Sequence, residues 1–237
     1  MRSHCPRVSA RLFVCAVGGL LAVGCTAVIT APTPISDPVP VYVLDHGRHN
    51  SLVLVVDGER PLRLAYGEWG WYVEGRTGPL RTLSTLFRST PGALGRAELR
   101  GPPVPGCWAE QVRSEIRAVL GFSAERAEVR ALASTIEQRF ETAEPPPVAS
   151  LRLNLEFIVA DRPYTLAYNS NHQVVAWLER LGFEVRGDPT VGRLRAEDPA
   201  NIVPLEMLRC PPPGQQTSGD AAPEDADSGP GLESASG

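Results

Sequence analysis

Apolar positions recur along this chain first in short runs and then at longer, helical intervals. Val41 to Leu44 and Ser51 to Val56 are β-branched stretches, and Leu62-Arg63-Leu64-Ala65-Tyr66 is a third run of strand length. Asp57-Gly58 between the last two is a hairpin signal. The first third therefore predicts an antiparallel meander in which His49 opens the second strand and Glu68 ends the third. Further on, Leu80 to Phe87 predicts a short amphipathic helix. Val112, Ile116, Val119 and Leu120 fall on one face of a helix over Trp108 to Leu120, with Gly121 as its stop. Ser123 caps a second helix from Ala124 to about Thr142, which Pro145-Pro146-Pro147 ends. Arg96 to Arg100 predicts an isolated strand. The alternation Leu151, Leu153, Leu155, Phe157 predicts a strand over Leu151 to Val159, and Phe183-Glu184-Val185 a final edge strand.

The strongest helical pattern comes late. Val174, Val175, Trp177, Leu178 and Leu181 lie on one face, and Gly182 follows where a left-handed C-cap belongs. Ser170 reads as the N-cap, its hydroxyl accepting from a first-turn amide. A nucleophile at this position would also feel the positive end of the helix dipole. Strands and helices segregated in this order indicate an α+β domain, an antiparallel sheet with packed helices.

Both ends of the 237-residue chain read as non-globular. Residues 1–24 carry Arg2, Arg7 and Arg11 and then the apolar run Leu12 to Val23, the pattern of an export signal. Its ending, Leu21-Ala22-Val23-Gly24-Cys25, resembles a bacterial lipoprotein box, which implies lipid on Cys25 and a membrane-anchored location in the cell envelope. Residues 26–40, with Pro32, Pro34, Pro38 and Pro40, read as a semi-extended tether. The domain spans residues 41–210. The tail 211–237 is rich in Pro, Gly, Ser, Asp and Glu and reads as disordered.

Charge and cysteines narrow the partners. The formal charge of -4 becomes about -2 over the folded part, once the basic leader and the acidic tail are set aside. That excludes a basic nucleic-acid footprint. All 23 basic residues are Arg. Of the five cysteines, Cys5 and Cys15 fall in the expected leader, and the lipoprotein box assigns Cys25 to lipid. Cys107 and Cys210 then remain, either as a disulfide in an exported domain or as two buried thiols. No cysteine falls in a metal-binding motif, and the pattern calls for no cofactor.

Candidate chemistry lies in two polar turns, which hold the three histidines downstream of the leader: His46, His49 and His172. His49 as general base, Ser170 as nucleophile and Glu68 as the group orienting the imidazole fill the roles of a triad. Asn171, His172, His46, Trp69 and Trp71 are candidate binding residues around it. The alternative for Ser170 is a cap without catalysis, and for Trp69, Trp71 and Tyr72 a place in the core. A metal site from His46, His49 and His172 with Asp45 or Glu68 is a further alternative. It requires a tight turn at Gly47, since a spacing of three on an extended strand puts His46 and His49 on opposite faces.

Asn169-Ser170-Asn171-His172-Gln173-Val174 resembles the Asn-Cys-Glu-His-Phe-Val signature of the lecithin retinol acyltransferase-like group. That group belongs to the circularly permuted, NlpC-type papain-like enzymes, in which the base His precedes the nucleophile. His46-Gly47-Arg48-His49, Gly67 to Tyr72 and the last helix resemble, over most of residues 41–186, the bacterial domain of unknown function family 2459, often linked to urease gene regions. The resemblance implies a permuted papain-like fold and an envelope peptide or acyl group as substrate. It places Ser170 where that family has Cys, Arg48 where it has Trp, and Glu68-Trp69-Gly70-Trp71 near its Gly-Trp-Gly-Asp. A serine hydroxyl is a far weaker nucleophile near neutral pH than a thiol. The expectation is therefore an envelope lipoprotein whose papain-like domain is catalytically weak or silent. The alternatives are a hydrolase or acyltransferase using Ser170 and His49, or a metal-binding envelope protein.

Overall fold

The computed structural model describes residues 26–56, 61–76, 89–102, 104–190, 193–204 and 210. The leader with Cys25, the Asp57-Gly58 turn, the Leu80 to Phe87 segment and the tail 211–237 lie outside the described residues. The fold is mixed α+β, built on an eight-stranded sheet in which every strand pairing is antiparallel.

The sheet grows from the meander. β2 (Pro38–Asp45), β3 (Asn50–Leu54) and β4 (Leu62–Glu68) are sequential neighbours, as the β-branched runs predict. β4 leads into the single-turn α1 (Trp69–Tyr72), and β5 (Gly92–Glu98) returns beside β4. α2 (Pro105–Trp108) precedes β6 (Ala118–Glu125), which pairs along the other edge of β2. α3 (Arg126–Glu141) follows directly. β7 (Val148–Ser150) and β8 (Leu155–Val159) complete one edge of the sheet, and α4 (Ser170–Arg180) packs on β3 and β4. β1 (Ala27–Thr30), β9 (Glu184–Arg186) and β10 (Leu194–Ala196) form a separate three-stranded sheet with β1 at its centre. β11 (Ile202–Val203) closes the large sheet beside β6.

The period of two along each strand divides the core. Val41, Val43, Leu52, Leu54, Leu64, Leu94, Leu120 and Phe122 face α3 and α4, where Val129, Leu132, Val174, Trp177 and Leu178 meet them. The intervening residues face the other way in two smaller groups. Leu44, Val53 and Val119 pack on Trp108, while Ala65, Ala93 and Phe157 pack on Leu153 and Tyr72. β3 and β4 are buried along their whole length because both faces are covered. Among the described residues no helix is long and apolar enough to cross a membrane.

Several expectations are corrected. Residues 26–40 are not a free tether: Ala27 and Ile29 are fully buried, and β2 begins at Pro38. The helix expected over Trp108 to Leu120 is the single turn α2, a 3-10 turn and then a strand. Hydrogen bonding along all of β2 takes residues 118–125, and Gly121 is no helix stop but lies mid-strand against the Tyr42 ring, where a Cβ would sit 3.3 Å from it. Ser123 is therefore a strand residue, and Glu125 precedes α3 without a side-chain capping bond. Of Arg96 to Arg100, residues up to Glu98 belong to β5, which runs between β4 and β8 and is not isolated. Leu151 is 84% exposed in a turn, and β8 starts only at Leu155. Glu184–Arg186 is an edge strand, of the small sheet, and two more strands follow it. Cys107 and Cys210 are joined by a disulfide with their Cα atoms 4.2 Å apart.

Candidate functional site

The turn from β2 to β3 is closed by His46 N–H donating to the His49 carbonyl at 2.9 Å. Gly47 takes φ +90°, and the Asp45 carboxylate accepts from its amide. A side chain there would be strained by that positive φ, and Arg117 would have to move aside, so the turn favours glycine. His46 is held at both nitrogens. Nδ1 donates to the Glu115 carbonyl at 2.8 Å, which fixes the tautomer, and Nε2 accepts from the Ser51 hydroxyl at 2.8 Å. Burial, with the Arg63 charge added, lowers its pKa to about 4. The His49 ring sits edge-on to Tyr72, centroids 6.0 Å apart, and makes no hydrogen bond among the described residues. Burial and the neighbouring Arg48 lower its pKa too. These residues line a cavity of about 130 Å3 with Arg63, Ser114 and Leu155.

The second turn opens α4. Asn169, not Ser170, is the N-cap: its Oδ1 accepts from Asn171 N–H at 3.0 Å and His172 N–H at 3.5 Å, and its own N–H donates to His172 Nδ1. His172 is thus part of a capping box, its ring beside Tyr168. Ser170 is the first helical residue, 1% exposed, and its Oγ has no hydrogen-bond partner among the described residues. Asn171 reaches across to β3, accepting from Asn50 Nδ2 at 2.7 Å and donating to the Pro189 carbonyl at 3.0 Å. At the far end Gly182, at φ +86°, completes the left-handed cap that the sequence predicts, with Phe183 N–H donating to Leu178 O.

The two turns therefore meet, but through Asn50 and Asn171. The proposed dyad is not assembled, since no hydrogen bond joins His49 to Ser170. The cause is the pleat: Asn50 points towards α4, so His49 and Ser51 on either side of it point to the opposite face. Glu68 does not orient His49 either. Its carboxylate accepts from Trp71 N–H at 2.7 Å and caps α1. Trp69 is half-buried against the Ala65–Phe157 group, and the Trp71 carbonyl accepts from Arg152 at 3.3 Å. His46 and His49 share the cavity while His172 belongs to the other turn, and among the described residues no three His, Cys, Asp or Glu side chains come together to hold a metal.

Sequence reasoning missed Arg63, Ser51 and Asn50, and it named Tyr72 only as one of an aromatic cluster. Arg63 carried a signal: a charge set between Leu62 and Leu64 in a strand buried on both faces. The place of the Tyr72 ring was not legible, because it follows from Gly67, whose missing Cβ leaves room for it. No family model, no curated protein and no solved structure matches this chain.

Proposed function

We propose that this chain is an exported envelope lipoprotein, anchored through Cys25, whose domain keeps the frame of the permuted NlpC-type group and serves as a binding module without acyl-transfer activity. One observation carries the reading: Ser170 Oγ is buried without a partner among the described residues, while the imidazole meant to activate it lies against Tyr72 on the far side of β3. A serine needs a base within hydrogen-bond reach and donors for the oxyanion. A fluorophosphonate probe applied to the wild type and to Ser170→Ala tests this. Equal, background labelling is expected, and labelling that disappears in Ser170→Ala overturns the reading. Radiolabelled palmitate incorporation lost in Cys25→Ala tests the anchor separately.

The second reading is a hydrolase or acyltransferase on an envelope amide or ester. The Asn50–Asn171 bond favours it, because it brings the strand bearing His49 to the N-terminus of the helix bearing Ser170, in the order of the permuted group. Ser170→Cys with an iodoacetamide reaction profile separates the two. A thiol with ordinary, slow alkylation supports the binding module, and a low-pKa reactive thiol supports the enzyme.

A further inference from the structure

The polar cavity beside the Ala65, Leu153 and Leu155 group has a feature that neither reading uses. Arg63 projects from β4 into it and is only 3% exposed. Its Nε–H donates to Ser51 Oγ at 3.4 Å, Nη1 is buried with no partner, and no carboxylate pairs with it among the described residues. Burial lowers its pKa only to about 10, so it stays cationic at neutral pH. A buried charge without a counter-charge is costly to hold, and such groups are normally paired. Other described arginines find partners near the surface: Arg126 reaches Asp37 and Arg139 reaches Asp161, while Arg152 donates to the Trp71 carbonyl and Arg180 to the Thr135 hydroxyl.

The neighbours are arranged to hold this guanidinium and not to neutralise it. Because His46 Nδ1 donates to Glu115, Nε2 must accept from the Ser51 hydroxyl, and that leaves Ser51 Oγ free to accept from Arg63. One directed chain runs Arg63 to Ser51 to His46 to the backbone. It fixes the fork and leaves the Nη groups for a ligand. The cavity of about 130 Å3 has room for a carboxylate and a few further atoms, and Leu153 and Leu155 give it an apolar wall.

We propose that this cavity binds a carboxylate on a small apolar substituent, gripped by the Arg63 guanidinium with Tyr72 and His49 closing over it. The planar fork matches the two carboxylate oxygens. A dianion such as phosphate fits less well, because His46 is neutral and Arg63 is the one cation projecting into the described lining. The site lies on the face away from α4 and does not depend on what Ser170 does.

The test is a titration of the full, disulfide-bonded chain with acetate, N-acetylalanine, N-acetylalaninamide and inorganic phosphate, followed by calorimetry and melting temperature. Both carboxylates should bind saturably and raise the melting temperature, and the amide should not. The tighter of the two identifies the source: N-acetylalanine points to a peptide C-terminus, acetate to a free small acid. Arg63→Met should weaken carboxylate binding at least tenfold while melting no lower than the unliganded wild type, because it removes an uncompensated buried charge. A purely structural arginine would instead lower the melting temperature on substitution. Ser51→Ala, which frees the fork, should weaken binding several-fold and serves if Arg63→Met does not fold. Absence of saturable carboxylate binding, unchanged affinity in these variants, or phosphate binding tighter than acetate would overturn the assignment.

Discussion

The two faces of the large sheet bury polar groups on different terms. Under α4 they come as neutral, mutually paired amides: Asn50 with Asn171, Asn171 with the Pro189 carbonyl, Asn169 with two helix amides. Two neutral atoms there, Asn50 Oδ1 and Ser170 Oγ, go without partners among the described residues. On the opposite face a guanidinium is buried with one long hydrogen bond, beside two imidazoles that burial keeps neutral. The first arrangement is what fixing a helix on a sheet requires. The second stores an unmet demand for negative charge. A single strand separates them, for Asn50 belongs to one face and Ser51 to the other.

The comparison can be broken most directly on the helix face. Leu178 is fully buried between α4 and the sheet, so Leu178→Ala should cost about 3–4 kcal/mol in chemical denaturation. A loss near zero would mean that α4 is not held by this packing. On the other face the lever is pH. The folded-state pKa of His46 is depressed, so above its ordinary value both states are neutral and stability is highest. As pH falls through that value the unfolded chain takes up the proton first, and stability drops until His46 itself protonates near about 4. The loss attributable to His46 across that window is about 3 kcal/mol, with His49 acting in the same sense. Urea midpoints measured at steps between neutrality and pH 4 should fall steadily, and His46→Gln should flatten the profile.

Smaller effects sharpen the contrast. Asn171→Ala leaves Asn50 and the Pro189 carbonyl unpaired and should cost about 2 kcal/mol by urea denaturation. Ser170→Ala removes a buried hydroxyl that has no partner among the described residues, and should leave stability unchanged or raise it by about 1 kcal/mol. A clear loss in that variant would reveal a partner for the hydroxyl and revive its candidacy as a positioned nucleophile.

Legibility followed the range of the forces involved. The meander and α4 were readable because a period of two or of 3.6 is a local property. α4 also advertised its end through Gly182, although its cap proved to be Asn169, one residue earlier than the serine that looked suited to it. β6 was misread because Val112, Ile116, Val119 and Leu120 satisfy a helical period by coincidence, and only pairing with distant β2 decides between the two forms. β1 was hidden among prolines, since its partners β9 and β10 lie more than 150 residues on. At the site, both polar turns were identified and do come together. Which side chains face each other was beyond reach, because it depends on the parity of one strand: counting from Asn50, His49 falls on the wrong side for Ser170.

The disulfide has a mechanical consequence. Pulling on the residues beyond Cys210 loads the sulfur bridge and, through it, Cys107 at α2, so the force bypasses the two-residue strand β11. At the other terminus β1 is flanked on both sides, and a pull along its axis loads its hydrogen bonds in shear, all together. Tension between the two ends of the chain therefore spares the feeble edge of the large sheet and falls on the small one, where Ala27 and Ile29 are clamped. A load applied at the two ends therefore meets the paired strand β1 before it can reach β4 and the cavity around Arg63.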